Sequence, residues 1–349
     1  MTNVTLPVVR NPALNKLQSG YTAGTLLTIN GSGFGTRTNG QALYFSSGQQ
    51  LTGDSYCSRL TSTRYYNTTV ATSTTYGNSV VIDLAQGSLH PYVFGTPIPF
   101  TPTKPLITYV ERYYDYDVMN PANLDTPFDV ANPNTYAFNL KHFRLWSADA
   151  THDIYTGGAA CGYNGNPPNG WTNAQGLPPS VSGTPTGYMF VENVSGNSAI
   201  YYPSSTPASQ WLNEEYIFKN SSASGVKDGQ LRHYRNGAWL NSSNYLLTTI
   251  DSTYTQGLSN AYLDEISNNT RADIYFNTYY RHVLYDDEVR GLYLGNASTL
   301  SACTKLVRQA TASWSDTKIT YRAVNNFSCA YYYIRTDFDT WLSTNGVAL

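Results

Sequence analysis

"GTLLTINGSGFGTR", residues 24–37, separates two kinds of protein. A short apolar run, Leu26 to Ile29, leads straight into Gly31, Gly33 and Gly35. A dinucleotide-binding chain would turn there from a strand into a helix whose first turn cradles a pyrophosphate. That chemistry needs G-x-G-x-x-G and then an amphipathic helix. Here the third glycine comes one residue early, and "TRTNGQALYFSSGQQ" carries no apolar stripe at helical spacing. The stretch therefore reads as a strand ending in a tight turn, with glycines supplying positive φ and Phe34 plugging the core.

Composition points the same way. Charged residues make up 13% of the 349 and aromatics 14%, with 31 tyrosines. Aromatic and β-branched side chains suit a pleated surface, so the fold class is all-β. The formal charge of −2 offers no basic footprint for nucleic acid. No apolar run is long enough to span a bilayer as a helix, and no membrane insertion is expected. "MTNVTLPVVRNP" has neither a basic segment nor an apolar signal core, so the chain is expected to fold in a cytosol. A polar, Tyr-rich, Lys-poor chain of this kind suits a virion component made in the host cytoplasm and released by lysis.

Alternation of apolar and polar residues dominates, as in "ITYVERY" (107–113) and "WLNEEYIFK" (211–219). Asp228-Gly229 and Asn236-Gly237 have the composition of type I′ turns, so residues 211–240 read as successive antiparallel strands. "GTPIPFTPTKP" (95–105) reads as an extended connector. The Gly/Pro/Asn-rich stretch 162–187 reads as a long loop of the kind that often carries function. Short helices are expected at 297–304 and 337–344. Cys57, Cys161, Cys303 and Cys329 show no zinc-site spacing. Cys303 and Cys329 could bridge if they face each other, and two buried thiols are favoured in a reducing cytosol.

Residues Pro12, Gly24-Thr25, Leu27-Thr28-Ile29 and Gly31 through Gly35 resemble the opening of IPT/TIG immunoglobulin-like domains. The strands that should follow in that family appear only near the far end, as "RGLYLGNASTLSACTKLVRQATASWSDTKITYRA" (290–323) and "SCAYYYIRTD" (328–337). The resemblance implies one split sandwich, built from 1–38 and 288–349, of the usual size of roughly 100 residues. Its test is whether the strand at 25–29 pairs with the one at 317–323. The intervening 39–287 resembles concanavalin A-like lectin/glucanase jelly rolls, including laminin-G modules and polysaccharide lyases. The carriers are "YVERYYDYD" (109–117), "NLKHFRLWS" (139–147) and the "W…E…K…DG…R…NG" rhythm of 211–237. The expected architecture is a jelly-roll sandwich plus an immunoglobulin-like sandwich.

Glucanases of this fold place paired carboxylates on one strand face as E-x-D-x-E. No such run occurs, and Glu214 and Glu215, being adjacent, point to opposite faces. A lyase needs a Tyr or His base beside a cation or amide that neutralises a uronate. His142 with Arg144, and His233 with Arg235, could each share a sheet face for that purpose; the alternative is hydrogen-bonded sheet residues. Trp146, Tyr163, Trp171, Tyr201 and Tyr202 are candidates for stacking on sugars, or for packing and protein contact. Asp115, Asp117, Asp125 and Asp129, and again Asp286, Asp287 and Glu288, are candidate calcium oxygens or ordinary loop acids. No other cofactor is indicated. The function expected is a non-enzymatic virion surface protein of a bacteriophage, a fibre, decoration or receptor-binding component, contacting other virion proteins and host-surface glycan. It is expected to be a homo-oligomer; the alternative is a bacterial polysaccharide lyase or carbohydrate-binding module.

Overall fold

The computed structural model describes residues 24–38, 42–45, 68–73, 79–84, 92–95, 104–114, 139–147, 153–159, 186–192, 200–203, 210–240, 246–252, 255–267, 276–324 and 329–348. Among them the regular structure is β-strand, apart from one short 3-10 turn at Leu300–Ala302. The fold is all-β.

Two large antiparallel sheets dominate the middle of the chain. The first orders its strands as β13 (Ala238–Trp239), β12 (Gln230–Arg235), β11 (Trp211–Lys219), β6 (Leu106–Tyr114), β15 (Phe276–Asp286), β4 (Ser79–Leu84) and β3 (Thr68–Ser73). A short strand, β2 (Leu43–Phe45), adds to β15. The second orders β10 (Ile200–Pro203), β9 (Thr186–Glu192), β8 (Asp153–Ala159), β7 (Asn139–Ser147), β14 (Leu258–Ser267) and β5 (Tyr92–Gly95). The sheets face one another, since Phe143 of β7 stacks on Tyr216 of β11 with ring centroids 4.6 Å apart.

A smaller sandwich joins the two ends of the chain. β1 (Leu26–Asn30) pairs antiparallel with β19 (Lys318–Arg322), Ile29 opposite Ile319, and β19 pairs with β18 (Ala310–Trp314). Facing them are β17 (Leu306–Arg308), β16 (Gly291–Gly295), β20 (Tyr331–Asp337), β21 (Thr340–Trp341) and β22 (Val347–Ala348). Leu27, Ile29 and Phe34 share one core with Leu292, Leu294, Ile319, Tyr321 and Ile334. Phe34 is fully buried, and a Cβ on Gly31 would lie 2.4 Å from its Cζ, so only glycine allows that approach. Gly33 and Gly35 have φ of 76° and 72°. Their N–H groups point at the Asp316 carboxylate, 3.4 Å and 2.9 Å away. The glycine turn does cradle an anion, and that anion belongs to the chain itself.

Three local expectations are corrected. Asn236 and Gly237 have positive φ, 50° and 86°, as a type I′ turn requires, but no tight hairpin forms at Asp228-Gly229. Residues 220–229 instead form a longer connection, in which the Asp228 carboxylate accepts the Ser222 N–H at 2.8 Å. The helix expected at 297–304 shrinks to the 3-10 turn, and 337–344 holds a turn and β21, because Phe338 packs against Ile107 and Ile217 of the large sheet. Cys303 and Cys329 are free. Cys329 lies in the small-sandwich core, whereas Cys303 packs against a separate cluster with Tyr293 and Tyr333.

Candidate functional site

Alternation along β11 sends Glu214 and Glu215 to opposite faces, as their adjacency required. Glu214 faces the second sheet. Arg235 Nε donates to it at 2.8 Å, His233 Nε2 lies 3.3 Å away, and the Tyr216 hydroxyl donates at 3.2 Å. Arg112 completes the cluster with an ion pair to the same carboxylate. Burial alone would raise the Glu214 pKa, but Arg112 and Arg235, aided by His233, hold it well below the usual range. His233 and Arg235 are therefore spent on a closed ion network between the sheets, not on an open groove.

Arg144, of the other predicted pair, does not join them. On β7, Phe143 points between the sheets, so Arg144 and Trp146 occupy the outer face. There the Arg144 guanidinium lies 3.7 Å from the Trp146 ring centroid. His142 shares that strand, and Tyr201 and Tyr202 form part of β10, but their side chains lie outside the described residues, as do Tyr163, Trp171, Asp115, Asp117, Asp125 and Asp129. Asp286 is engaged by two arginines. Its two oxygens are held by Arg37 Nη2 at 2.5 Å and Arg308 Nη2 at 2.8 Å. Asp287 faces Lys104 at 3.6 Å. Among the described residues no group of three His, Cys, Asp or Glu side chains could hold a metal ion.

The outer face of the large sheet carries a different constellation. β6 presents Tyr109, Glu111 and Tyr113 there, and β11 presents Trp211, Asn213 and Glu215, in register as Trp211 with Tyr113 and Asn213 with Glu111. On β15, Arg281 opposes Glu111, but the next registered pair is Leu284 with Tyr109. His282 and Val283 thus oppose one residue, Val110, which makes a β-bulge. His282 takes a φ of 54°, a left-handed conformation that costs energy in a non-glycine residue.

The bulge turns His282 to the same face as Arg281. Its Nε2 lies 3.5 Å from Glu111 Oε2, and Arg281 Nε donates to that oxygen at 2.7 Å. On the other side, Nδ1 lies 3.0 Å from the hydroxyl of Tyr44 on β2. That hydroxyl is also 2.9 Å from the carbonyl of Val324. The Arg281 guanidinium stacks on Trp211 at 3.8 Å, and the Tyr109 hydroxyl donates to Asn213 Oδ1 at 2.6 Å.

Electrostatics define the protonation states. Burial, with Arg281 beside it, pushes the His282 pKa down to about 3, so the ring is neutral. Burial and the Glu111 charge push the Tyr44 hydroxyl far above its ordinary value, and Tyr109 likewise. The Tyr44 hydroxyl gives its one proton to the Val324 carbonyl, which can only accept, so its oxygen accepts from His282 Nδ1 and the imidazole lone pair lies on Nε2. Hydroxyl, imidazole and carboxylate thus line up as Tyr44, His282 and Glu111, with a partly exposed guanidinium alongside. Such an order sets a proton-bearing hydroxyl beside a neutral imidazole and a fixed positive charge.

His282 lay outside the sequence expectations for a simple reason. Strict alternation puts Arg281 and His282 on opposite faces, and only the bulge reunites them. The sole visible signal was a third His–Arg neighbourhood, "YYRHVLYDD" (279–287), in a Tyr-rich strand.

No family model and no curated protein matches the chain. Among solved structures, it is similar to the endo-β-1,4-glucuronan lyase of the fungus Trichoderma reesei. The identity is 11% and the TM-score 0.41, over 71% of this chain and 96% of that one. Alginate lyase Aly36B gives 10% identity and a TM-score of 0.38, over 75% and 97%. The PL7 alginate lyase AlyA1 of Zobellia galactanivorans gives 8% and 0.38, over 71% and 94%. At these identities and scores the assignment of chemistry rests on the side chains alone.

Proposed function

We propose that the protein acts on acidic polysaccharides, eliminating across the glycosidic bond of a uronate at Tyr44, His282, Glu111 and Arg281. The observation that carries this reading is His282, held neutral at a strained bulge between a tyrosine hydroxyl and a carboxylate, with Arg281 on the same face. Arg281 takes the uronate carboxylate and makes the adjacent C–H more acidic. The neutral His282 imidazole accepts that hydrogen as the base. The electron pair forms the new C=C bond, and the bond to the leaving glycosidic oxygen breaks. That oxygen takes the proton of the Tyr44 hydroxyl, which His282 then restores, so protons balance and no oxidant or reductant is needed. Glu111 is a positioning residue, acting through the hydrogen bond it accepts from Arg281 Nε.

The test is ultraviolet absorbance of unsaturated products from alginate, glucuronan and other uronate polymers. Tyr44→Phe and His282→Gln should abolish a signal that the unaltered chain produces. Silence of the unaltered chain on every uronate polymer would overturn the reading.

A second reading, glycan contact without cleavage by a virion surface component, is favoured by a separate observation. Trp211, Tyr113 and Tyr279 form an aromatic row across three strands, with centroids 5.6 Å and 6.0 Å apart. Binding of intact polymer without product, together with co-purification on phage particles, would favour it. We further propose that 1–38 and 288–349 form one IPT/TIG-like unit around an inserted 39–287. Its support is the β1–β19 pairing and the shared core of Leu27, Ile29 and Phe34 with residues beyond 290.

A further inference from the structure

A cavity at the junction between the large sheet and the small sandwich is rich in donors and short of acceptors. Asn213, Glu215 and Tyr234 line it from the sheet; Tyr293, Arg308 and Arg335 line it from the sandwich. Its volume is about 10 Å³, room for one water-sized particle. Arg308 and Arg335 are both almost completely buried, at 1% and 3% exposure.

Arg308 commits its Nη1 to the Val289 carbonyl and the Tyr293 hydroxyl, and its Nη2 to Asp286 and the Glu288 carbonyl. Its Nε has no hydrogen-bond partner. Arg335 Nε and Nη1 have none either. Three aromatic rings hold the Arg335 guanidinium in place, Tyr234 at 4.5 Å, Trp341 at 4.7 Å and Tyr293 at 5.2 Å, but ring faces are poor substitutes for an oxygen acceptor. Glu215 does not fill the gap. Its Oε1 accepts the Tyr293 hydroxyl at 2.6 Å and lies 3.6 Å from Arg308 Nη1, while Oε2 stays 3.8 Å from Arg335 Nη1. Asp286 neutralises Arg308 only from the far side, and it is shared with Arg37. Buried N–H groups in native proteins are almost always paired, so three orphans on two guanidiniums around one cavity call for a bound acceptor.

We propose that this cavity holds one small monovalent anion of halide size, bound by Arg308 Nε and by Arg335 Nε and Nη1. On the cavity wall two guanidiniums face one carboxylate, which favours an anion, and the small volume favours a monatomic one. Both ligands belong to the small sandwich, so the ion ties β17 to β20 at the face that meets the large sheet.

The experiment is thermal unfolding of the full chain at constant ionic strength, exchanging gluconate for chloride or bromide. The Tm should rise by about 2–4 °C per tenfold halide once the site begins to fill. Crystals grown in bromide should show an anomalous peak inside the cavity. Arg335→Lys keeps the charge but removes both unpaired donors, and should abolish the halide response; if that variant does not fold, the bromide crystal of the unaltered chain decides. A halide-independent Tm, or a cavity holding water with no anomalous peak, overturns the proposal.

Discussion

Replacing Asp286 with Asn should destabilise the whole molecule by about 3 kcal/mol, near the low end of the range for breaking a buried ion pair. Asp286 ends β15, and its carboxylate meets Arg37 Nη2 at 2.5 Å and Arg308 Nη2 at 2.8 Å, with all three side chains 0% exposed. Arg37 follows the glycine turn and Arg308 lies on β17, so one carboxylate joins the large sheet to both ends of the chain. Asn preserves the shape and one acceptor oxygen, but it removes the charge and turns an NH2 group toward a guanidinium. Arg37 keeps Glu288 Oε2 at 2.9 Å as a second partner, which places the loss at the lower end. Arg308 retains only Glu215 at 3.6 Å as an ion partner. Urea unfolding, followed by tryptophan fluorescence and far-ultraviolet circular dichroism, should show a lower midpoint with an unchanged slope. Arg308→Met should cost a similar amount. The double variant should cost less than the sum, because the second change removes the charge stranded by the first. A loss below about 1 kcal/mol for Asp286→Asn, or strict additivity in the double variant, would refute the claim that charge locks this junction.

Other outcomes follow from the same geometry. His282 is neutral in the fold, with its pKa lowered from 6.5 to about 3, while the unfolded chain takes up a proton near the ordinary value. Stability should therefore fall as pH drops from 6.5 toward 3, by up to about 1.4 kcal/mol per pH unit, and His282→Gln should remove that slope in pH-dependent urea melts. The depressed Glu214 pKa contributes stability above its ordinary 4.5 that is lost as pH falls toward the depressed value. Glu214→Gln should flatten that acid limb and cost about 3–5 kcal/mol at neutral pH, because Arg112 would be left buried without its carboxylate. Gly31→Ala should lower stability by about 1–3 kcal/mol in thermal melts, since the new methyl meets the Phe34 ring. Tyr44→Phe should slow elimination by about 10²–10⁴-fold with an unchanged circular dichroism spectrum.

Much of the architecture could be read from short-range pattern. Leu27, Ile29 and Phe34 announce a core strand and its plug, and Asn236-Gly237 announces a type I′ turn, because each depends on the local backbone alone. Residues 297–304 and 337–344 misled for the complementary reason: short apolar segments take whatever conformation their packing partners impose, and Phe338 is drawn into the core under Ile107 and Ile217. The ion networks were not legible. His233 and Arg235 share a face as alternation demands, yet whether that face is an open groove or a buried seam depends on Phe143, some ninety residues away along the chain.

By itself, the sequence determined the all-β class, the alternating faces of β6 and β11, and the opposite orientation of Glu214 and Glu215, since a pleated strand has a fixed period of two. Tertiary structure alone decided which strands became neighbours. It also decided where a bulge would break the period and place His282 beside Arg281, Glu111 and Tyr44. The glycine turn shows both sides of the division: its positive φ angles were written in Gly33 and Gly35, but that it would close around Asp316 depended on a strand paired across almost the whole chain.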